Sequence, residues 1–272
     1  CSKYVGFREG IFIDPGQNKV EADGLEVTVF IAALIVWRSR PGGNIAVDRI
    51  AGDRVDVHQQ LRGTGREWFY WCFRVRGAGG RRLRFRFTGS RAIGVRGPAL
   101  STDGGITWAW LGRDAVEDNG FSCRIPEDVP EVRLSFGMPY QASDWRRFAD
   151  SVVGHPLAAP GTLCVTPKGR PVDALVLHSE TGTPRHRVAV TCRHHCCEMM
   201  ASYVLEGMIR RMLEDPGNRW LRRNAAFFIV PFVDKDGVED GDQGKGRRPR
   251  DHGRDYEGES VFAEPRAIRK NL

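Results

Sequence analysis

No apolar run in the sequence approaches the ~20 residues that a membrane-crossing helix needs. The longest, Val27–Trp37 (VTVFIAALIVW), falls well short. It follows an acidic, polar stretch instead of a short basic one, which favours a buried strand or an atypical N-terminal extension over a targeting segment. A disulfide framework is also missing. The seven cysteines are odd in number and irregularly spaced, and Cys192, Cys196 and Cys197 crowd together. That usage fits free thiols in a reducing cytoplasm. With 41% hydrophobic and 28% charged residues, the composition excludes disorder, collagen and a disulfide-dense mini-scaffold. Internal repeats are absent. So is an initiating methionine: the chain begins at Cys1 and ends at Leu272 directly after a charged run, and it reads as a fragment.

What is present is a chain of 272 residues, long enough for one large or two smaller domains with a real core. Its net charge of +7 is carried mainly by arginine. In Phe73-Arg74-Val75-Arg76 and Leu83-Arg84-Phe85-Arg86-Phe87 the arginines alternate with apolar residues. Alternation with period two puts the apolar set on a core and the arginines on a solvated sheet face. A nucleic-acid or acidic-peptide surface is the sharper reading of that face. No recognition motif accompanies the charge, so neither nucleic acid nor a membrane is expected as partner.

Residues 40–140 read as an antiparallel β-sandwich, with short aromatic and β-branched runs between glycine and aspartate turns. The expected strands include Arg66–Arg76, Arg82–Thr88, Ile106–Leu111 and Glu131–Phe136. Trp68, Phe69, Tyr70, Trp71, Trp108 and Trp110 are expected to pack the core, with a sugar-binding platform as the alternative. Residues 1–39 form an N-terminal extension of uncertain structure, and 141–160 a junction with a helix over Gln141–Val153. From 161 to 272 the pattern becomes α/β, with strands at Leu163–Thr166, Asp173–His178 and Arg187–Cys192. A helix is expected over Met199–Glu214, where Met200, Val204, Met208 and Met212 repeat every four residues. Ala225–Phe232 is continuously apolar, as for a strand covered on both faces.

The chemistry concentrates in Arg193-His194-His195-Cys196-Cys197-Glu198, between a strand and a helix, where α/β sheets gather their ligand sites. His195 and Glu198 have the spacing H-x-x-E, which lets an imidazole and a carboxylate converge on one ion from a tight turn. Zinc accepts both ligand types. By spacing alone, a surface His–Glu pair fits as well.

Three ordered motifs add context. After the H-x-x-E turn and its helix comes Pro231-Phe232-Val233-Asp234-Lys235-Asp236-Gly237-Val238, then a basic loop holding Lys245, Arg247, Arg248 and Arg250, then Asp251-His252-Gly253-Arg254. In these the sequence resembles the zinc carboxypeptidases, and among them the cytosolic carboxypeptidase-like branch. That family carries Arg-x-His-Pro-Gly-Glu, Pro-x-x-Asn-x-Asp-Gly-Val and Asn-Arg in this order. The β-rich stretch and Phe136-Gly137-Met138-Pro139-Tyr140 also look like that branch, so the likeness spans roughly Gly43–Lys270. It implies a two-domain α+β protein, the β-sandwich being followed by the first part of an α/β catalytic domain. It also implies a cytoplasmic enzyme that hydrolyses the C-terminal bond of a peptide or protein tail. His195 and Glu198 would be zinc ligands, and Arg247 or Arg248 would face the scissile carbonyl. Arg254, with Gly253 and Arg193, would bind the substrate. A guanidinium fork suits a carboxylate, and a cation beside zinc would stabilise the developing oxyanion.

The sequence departs from the family pattern at several positions. Cys196-Cys197 replaces Pro-Gly, placing small buried residues or soft ligands beside the metal. Asp234 stands for Asn. Gly253 replaces the Asn of Asn-Arg, which removes a hydrogen bond worth about 1 kcal/mol or somewhat more. The family's third ligand, a later histidine, and its general-base glutamate have no counterpart before Leu272, with His252 a distant substitute. The chain alone is therefore expected to show little peptidase activity. The alternative is a non-catalytic protein that recognises acidic C-terminal tails.

Overall fold

The computed structural model describes residues 12–13, 20–22, 25–27, 34–38, 41–65, 68–89 and 92–272. Cys1, Arg66 and the middle of the Val27–Trp37 run lie outside them. The chain divides into two compact units, the first comprising residues 1–60 and 67–138 and the second residues 61–66 and 139–272.

The first unit is all β. In chain order its strands are β1 (Phe12–Ile13), β2 (Val20–Ala22), β3 (Leu25–Val27), β4 (Ile35–Arg38), β5 (Ala46–Ala51), β6 (Arg54–His58) and β7 (Cys72–Arg76). They continue as β8 (Arg82–Phe87), β9 (Ala99–Ser101), β10 (Ala109–Trp110), β11 (Val116–Glu117), β12 (Gly120–Arg124) and β13 (Glu131–Ser135). One sheet has the order β1-β4-β7-β13-β9-β10 and a second the order β11-β12-β8-β6-β5, with β2 and β3 forming a separate ribbon. The segment taken as an N-terminal extension thus contributes β4, whose Val36 is fully buried. Alternation works as expected in β8, where Leu83, Phe85 and Phe87 are buried and Arg82, Arg84 and Arg86 exposed. Trp71 is the hub of the core: its ring stacks on Phe121 at 5.7 Å and its Nε1–H donates to the Ala92 carbonyl at 2.6 Å. Burying such rings contributes about 2–3 kcal/mol each.

Two expectations change here. The second sheet is mixed, because β6 and β8 pair in parallel. The chain leaves β6, adds β7 to the other sheet and returns beside β6 in the same direction. Nor is Ile106–Leu111 one strand; only Ala109 and Trp110 pair. The Asp103 carboxylate accepts from the Thr107 hydroxyl and from the N–H groups of Ile106 and Thr107. Those bonds, led by Thr107, hold its carboxyl well below the usual range, and the turn they build keeps Ile106 out of the sheet.

The second unit is α/β. It contains α1 (Ala142–Val152), β14 (Ala158–Val165), β15 (Pro171–Leu177), β16 (His186–Thr191), α2 (Met200–Glu214), α3 (Arg219–Asn224), β17 (Ala225–Val230), α4 (Lys235–Asp240) and α5 (Ala263–Asn271). Its sheet has the order β14-β15-β17-β16, with β16 and β17 parallel and the other pairs antiparallel. The helix α1 opens at Gln141, whose N–H donates to the Asp144 carboxylate at 2.8 Å while the Asp144 N–H donates to the Gln141 backbone carbonyl at 3.1 Å. In α2 the buried apolar residues are Leu205, Ile209, Met212 and Leu213, whereas Met200 and Val204 are exposed. The helix carries two apolar stripes and only one can face the sheet. β17 is likewise half covered: Ile229 and Val230 are buried, but Ala226, Phe227 and Phe228 only partly. No helix of the described residues is long and apolar enough to cross a membrane.

Candidate functional site

The parallel strands β16 and β17 end side by side, and their backbone pairing runs on past both. Cys192 N–H donates to the Val230 carbonyl at 3.0 Å, Val233 N–H to Cys192 at 2.9 Å, and Asp234 N–H to Arg193 at 3.0 Å. The turn carrying His195 is thereby fixed against the turn carrying Asp234. This is the carboxyl end of the parallel pair, where α/β folds place ligands.

His195 bridges two carboxylates. Its Nδ1 lies 2.9 Å from Glu198 Oε1, and its Nε2 lies 3.1 Å from both oxygens of Asp251. Asp251 is buried and fixed: the Gly246 and Gly253 N–H groups donate to it at 2.8 and 2.9 Å. Burial alone would raise its carboxyl, but these bonds and His195 hold it below the ordinary range. An ionised Asp251 orients the ring with its N–H on Nε2. The Nδ1 lone pair then faces the Glu198 oxygen, and two acceptors this close need a proton or a cation between them. Nitrogen and oxygen donors suit zinc, and a carboxylate behind the imidazole is the usual outer-shell support. Glu198 is exposed, one residue before the cap of α2, so its charge also sits at a favourable helix terminus. Among the described residues no group of three or more His, Cys, Asp or Glu is arranged to hold an ion.

The other residues singled out in the sequence fall into distinct places. Gly253 lies beside the His195 ring, where a Cβ would stand 3.9 Å from His195 Nε2, and Arg254 follows it on the same exposed turn. Arg193 does not reach a substrate. It is 3% exposed, its Nε donates to the Cys196 carbonyl at 2.9 Å, and Nη1 donates to the Tyr140 carbonyl and the Ser202 hydroxyl, both at 3.1 Å. It holds the turn's shape from inside, and its own backbone is left-handed, with φ 59. Arg247 is likewise committed. Its Nη2 lies 2.6 Å from Asp234 Oδ2 and 3.1 Å from Asp242 Oδ2. Asp234, where the family has Asn, is 2% exposed and also caps α4 by accepting from Gly237 N–H at 2.8 Å. A carboxylate so deep requires a cation, and Arg247 supplies it. Arg248 is exposed, with its N–H on the Gly63 carbonyl at 3.3 Å.

Cys196 and Cys197 are buried packing groups. The Cys196 thiol donates to the Asp242 carbonyl at 3.0 Å, and burial pushes it well above its usual titration. Among the described residues all six cysteines, Cys72, Cys123, Cys164, Cys192, Cys196 and Cys197, are free. His252 is 3% exposed and stacked on Phe262 at 3.8 Å, with its Nδ1 3.8 Å from Asp234 Oδ2.

Sequence reasoning missed three participants. Asp251 stands two residues before Gly253, and a carboxylate at that spacing is a signal only once His195 is known to lie opposite. Lys245 places its Nζ 3.5 Å from His195 Nε2. His194 points its Nε2 at the Tyr256 hydroxyl, 2.7 Å away. A cavity of about 420 Å³ lies elsewhere on the unit, walled by Val188, Phe227 and Phe228; it holds no such pair of catalytic groups.

Residues 157–262 match the zinc carboxypeptidase family profile (Peptidase_M14). The chain is 26% identical over 161 residues to cytosolic carboxypeptidase 2 of Danio rerio and 30% identical over 142 residues to that of Xenopus tropicalis. These matches cover 53% and 48% of the chain but only 22% and 15% of the relatives. Among solved structures, a metallo-carboxypeptidase from Burkholderia cenocepacia superposes with a TM-score of 0.75 at 22% identity, covering 88% of this chain and 67% of that one. A metallo-carboxypeptidase from Pseudomonas aeruginosa, in complex with (2-guanidinoethylmercapto)succinic acid, gives 0.73 at 20% identity, covering 87% and 65%. These likenesses establish a mixed α/β carboxypeptidase-like fold.

Proposed function

The chain belongs to the zinc carboxypeptidase superfamily, in its cytosolic carboxypeptidase-like branch, and on that premise we propose that it hydrolyses the C-terminal bond of peptides or protein tails. One observation carries the reading: His195 Nδ1 and Glu198 Oε1 converge at 2.9 Å while Asp251 holds the other ring nitrogen. His195 and Glu198 would hold zinc. When bound, zinc lowers the pKa of a coordinated water and polarises a carbonyl.

The chain's own groups divide the remaining work. Asp251 keeps the Nε2 proton in place, so that Nδ1 presents its lone pair. Arg254, exposed and with no carboxylate within ion-pair distance among the described residues, takes the terminal carboxylate of the substrate. Gly253 beside it leaves that grip one hydrogen bond short. Lys245, Arg248 and Arg254 make the surroundings basic, which supports acidic tails as substrates. The first unit is read as a β-sandwich accompanying the catalytic unit, and the cytoplasm as the compartment, in keeping with the relatives' names and the free thiols.

A second reading also has an observation behind it. Two ligands rarely hold catalytic zinc, and among the described residues no group of three or more frames an ion. On that reading the chain binds acidic C-terminal tails without cutting them. Release of C-terminal residues from acidic peptides, followed by mass spectrometry, separates the two. Chelator-sensitive release that is lost in Glu198→Ala supports the carboxypeptidase. Tail binding weakened by Arg254→Ala, with no release at any zinc concentration, supports the binding protein.

A further inference from the structure

In the first unit, the outward face of the sheet β11-β12-β8-β6-β5 carries the arginines that alternate with core residues. Arg82, Arg84 and Arg86 are exposed along β8, and Arg124 stands on β12 directly opposite Arg82. Arg54 of β6 is opposite Arg84 on the other side. Side chains of directly opposed residues share a face and start only about 5 Å apart. Most of this charge is answered within the face. Asp56, 6% exposed, accepts from Arg86 Nε at 2.9 Å, from Arg86 Nη2 at 3.1 Å and from Arg54 Nε at 3.2 Å. Glu117 lies 2.8 Å from Arg84 Nε. Arg82 and Arg124 are left over. Arg82 reaches the Ser122 hydroxyl at 3.4 Å, and among the described residues no carboxylate lies within ion-pair distance of either arginine.

Like charges directly opposite each other destabilise a sheet, and an anion laid across the pair would relieve the repulsion. We propose that this face docks an acidic stretch of another polypeptide, gripped at Arg82 and Arg124. Arg86 on Asp56 already shows the two-bond fork that a carboxylate receives from a guanidinium here. Side chains on one side of an extended peptide repeat about every 6.7 Å, the same period as Arg82, Arg84 and Arg86 along β8. Nucleic acid fits less well, because Phe85, Phe87 and Phe121 are buried in the core and leave no aromatic ring on these strands' outward positions to stack a base. The surface belongs to the first unit alone and does not depend on the carboxypeptidase reading.

The probe is a labelled hexaglutamate, acetylated at its N-terminus and amidated at its C-terminus so that it presents no terminal carboxylate to Arg254. Fluorescence anisotropy reads its affinity for the full chain. The wild type is expected to bind at low salt and to release the peptide as salt screens the contact. Arg82→Gln with Arg124→Gln should lose about tenfold. Arg146→Gln with Arg219→Gln removes the same charge from exposed helix positions of the second unit and should lose less than about twofold. Glu117→Gln frees Arg84 and should gain about threefold. The Arg82 and Arg124 double variant should unfold in urea no earlier than the wild type, because it relieves a repulsion; earlier unfolding would make the pair a contact of the fold and overturn the proposal. No binding at low salt, or equal losses in the two double variants, also overturns it and leaves the carboxypeptidase reading standing. Tighter binding of a single-stranded RNA hexanucleotide than of the peptide assigns the face to nucleic acid and overturns it as well.

Discussion

Replacing Arg247 by methionine tests whether this residue serves the fold or the substrate. The substitution keeps the apolar stem and removes the guanidinium from Asp234 and Asp242, 2.6 and 3.1 Å away. Asp242 keeps a second partner in Arg62, at 3.3 Å. Asp234 keeps only the Gly237 N–H and a distant His252, whose Nδ1 is 3.8 Å off. An ionised carboxylate whose side chain is 3% exposed is then left without its cation. Breaking one side of a buried pair typically costs about 3–5 kcal/mol, and the surviving N-cap bond argues for the lower end. His252 modulates the loss. Burial and the Arg247 charge both hold its imidazole below the usual range, while Asp234 pulls it up. Without Arg247 it protonates more readily beside Asp234, so the deficit should narrow as pH falls. Urea unfolding followed by circular dichroism at neutral and mildly acidic pH provides the measurement, with Arg248→Met as control. Arg248 is exposed and should change stability by no more than about 0.5 kcal/mol. If Arg247→Met unfolds at the wild-type urea concentration, the structural role is refuted and Arg247 returns as a candidate for the substrate.

Glu264, 2% exposed in the first turn of α5, is pushed up to about 7 by burial, with Asp234 and Asp236 adding to the effect and Arg247 opposing it. Its folded value lies above its unfolded one, so its protonated form favours folding: stability should be fullest below the unfolded value and fall as pH rises towards 7, by about 1–3 kcal/mol. Glu264→Gln should flatten that slope in urea midpoints taken across the range; an unchanged slope would place the titration elsewhere. Gly253→Asn is tight, its Cβ standing 3.3 Å from Asp251 Oδ1, which must give by a few tenths of an ångström. It should tighten binding of an N-acetylated amino acid about threefold to tenfold, and weaker binding would show that the terminal carboxylate sits elsewhere. Asp251→Asn should leave the fold intact and lower zinc affinity about 10–100-fold, as read by competition with a chromogenic chelator; unchanged affinity would detach Asp251 from the metal.

Several elements were legible in the residues because their signals are local. The alternation in Leu83-Arg84-Phe85-Arg86-Phe87 sets which side of β8 is wet, and Gln141 with Asp144 starts α1, without help from the rest of the chain. Ordered motifs brought forward His195 and Glu198, which the fold sets 2.9 Å apart. The signal failed where two local solutions were equally good. The helix α2 carries apolar residues on two stripes, and the sheet selected the one containing Leu205 and Ile209. In 106–111 the composition suits a strand, but the Asp103 turn took the backbone donors of Ile106 and Thr107.

The sequence by itself determined the alternating faces of the β-unit and the residue types gathered at the end of β16, since each depends on periodicity or on order along the chain. Only the tertiary structure decided which of the many arginines are available. Arg193 and Arg247 are absorbed by carbonyls and by buried carboxylates brought from distant segments, whereas Lys245 is delivered to His195 and Arg254 is left in solvent. The physical reason is that charge is spoken for by proximity: a cation's role depends on which anion the fold sets beside it, and no spacing along the chain records that distance.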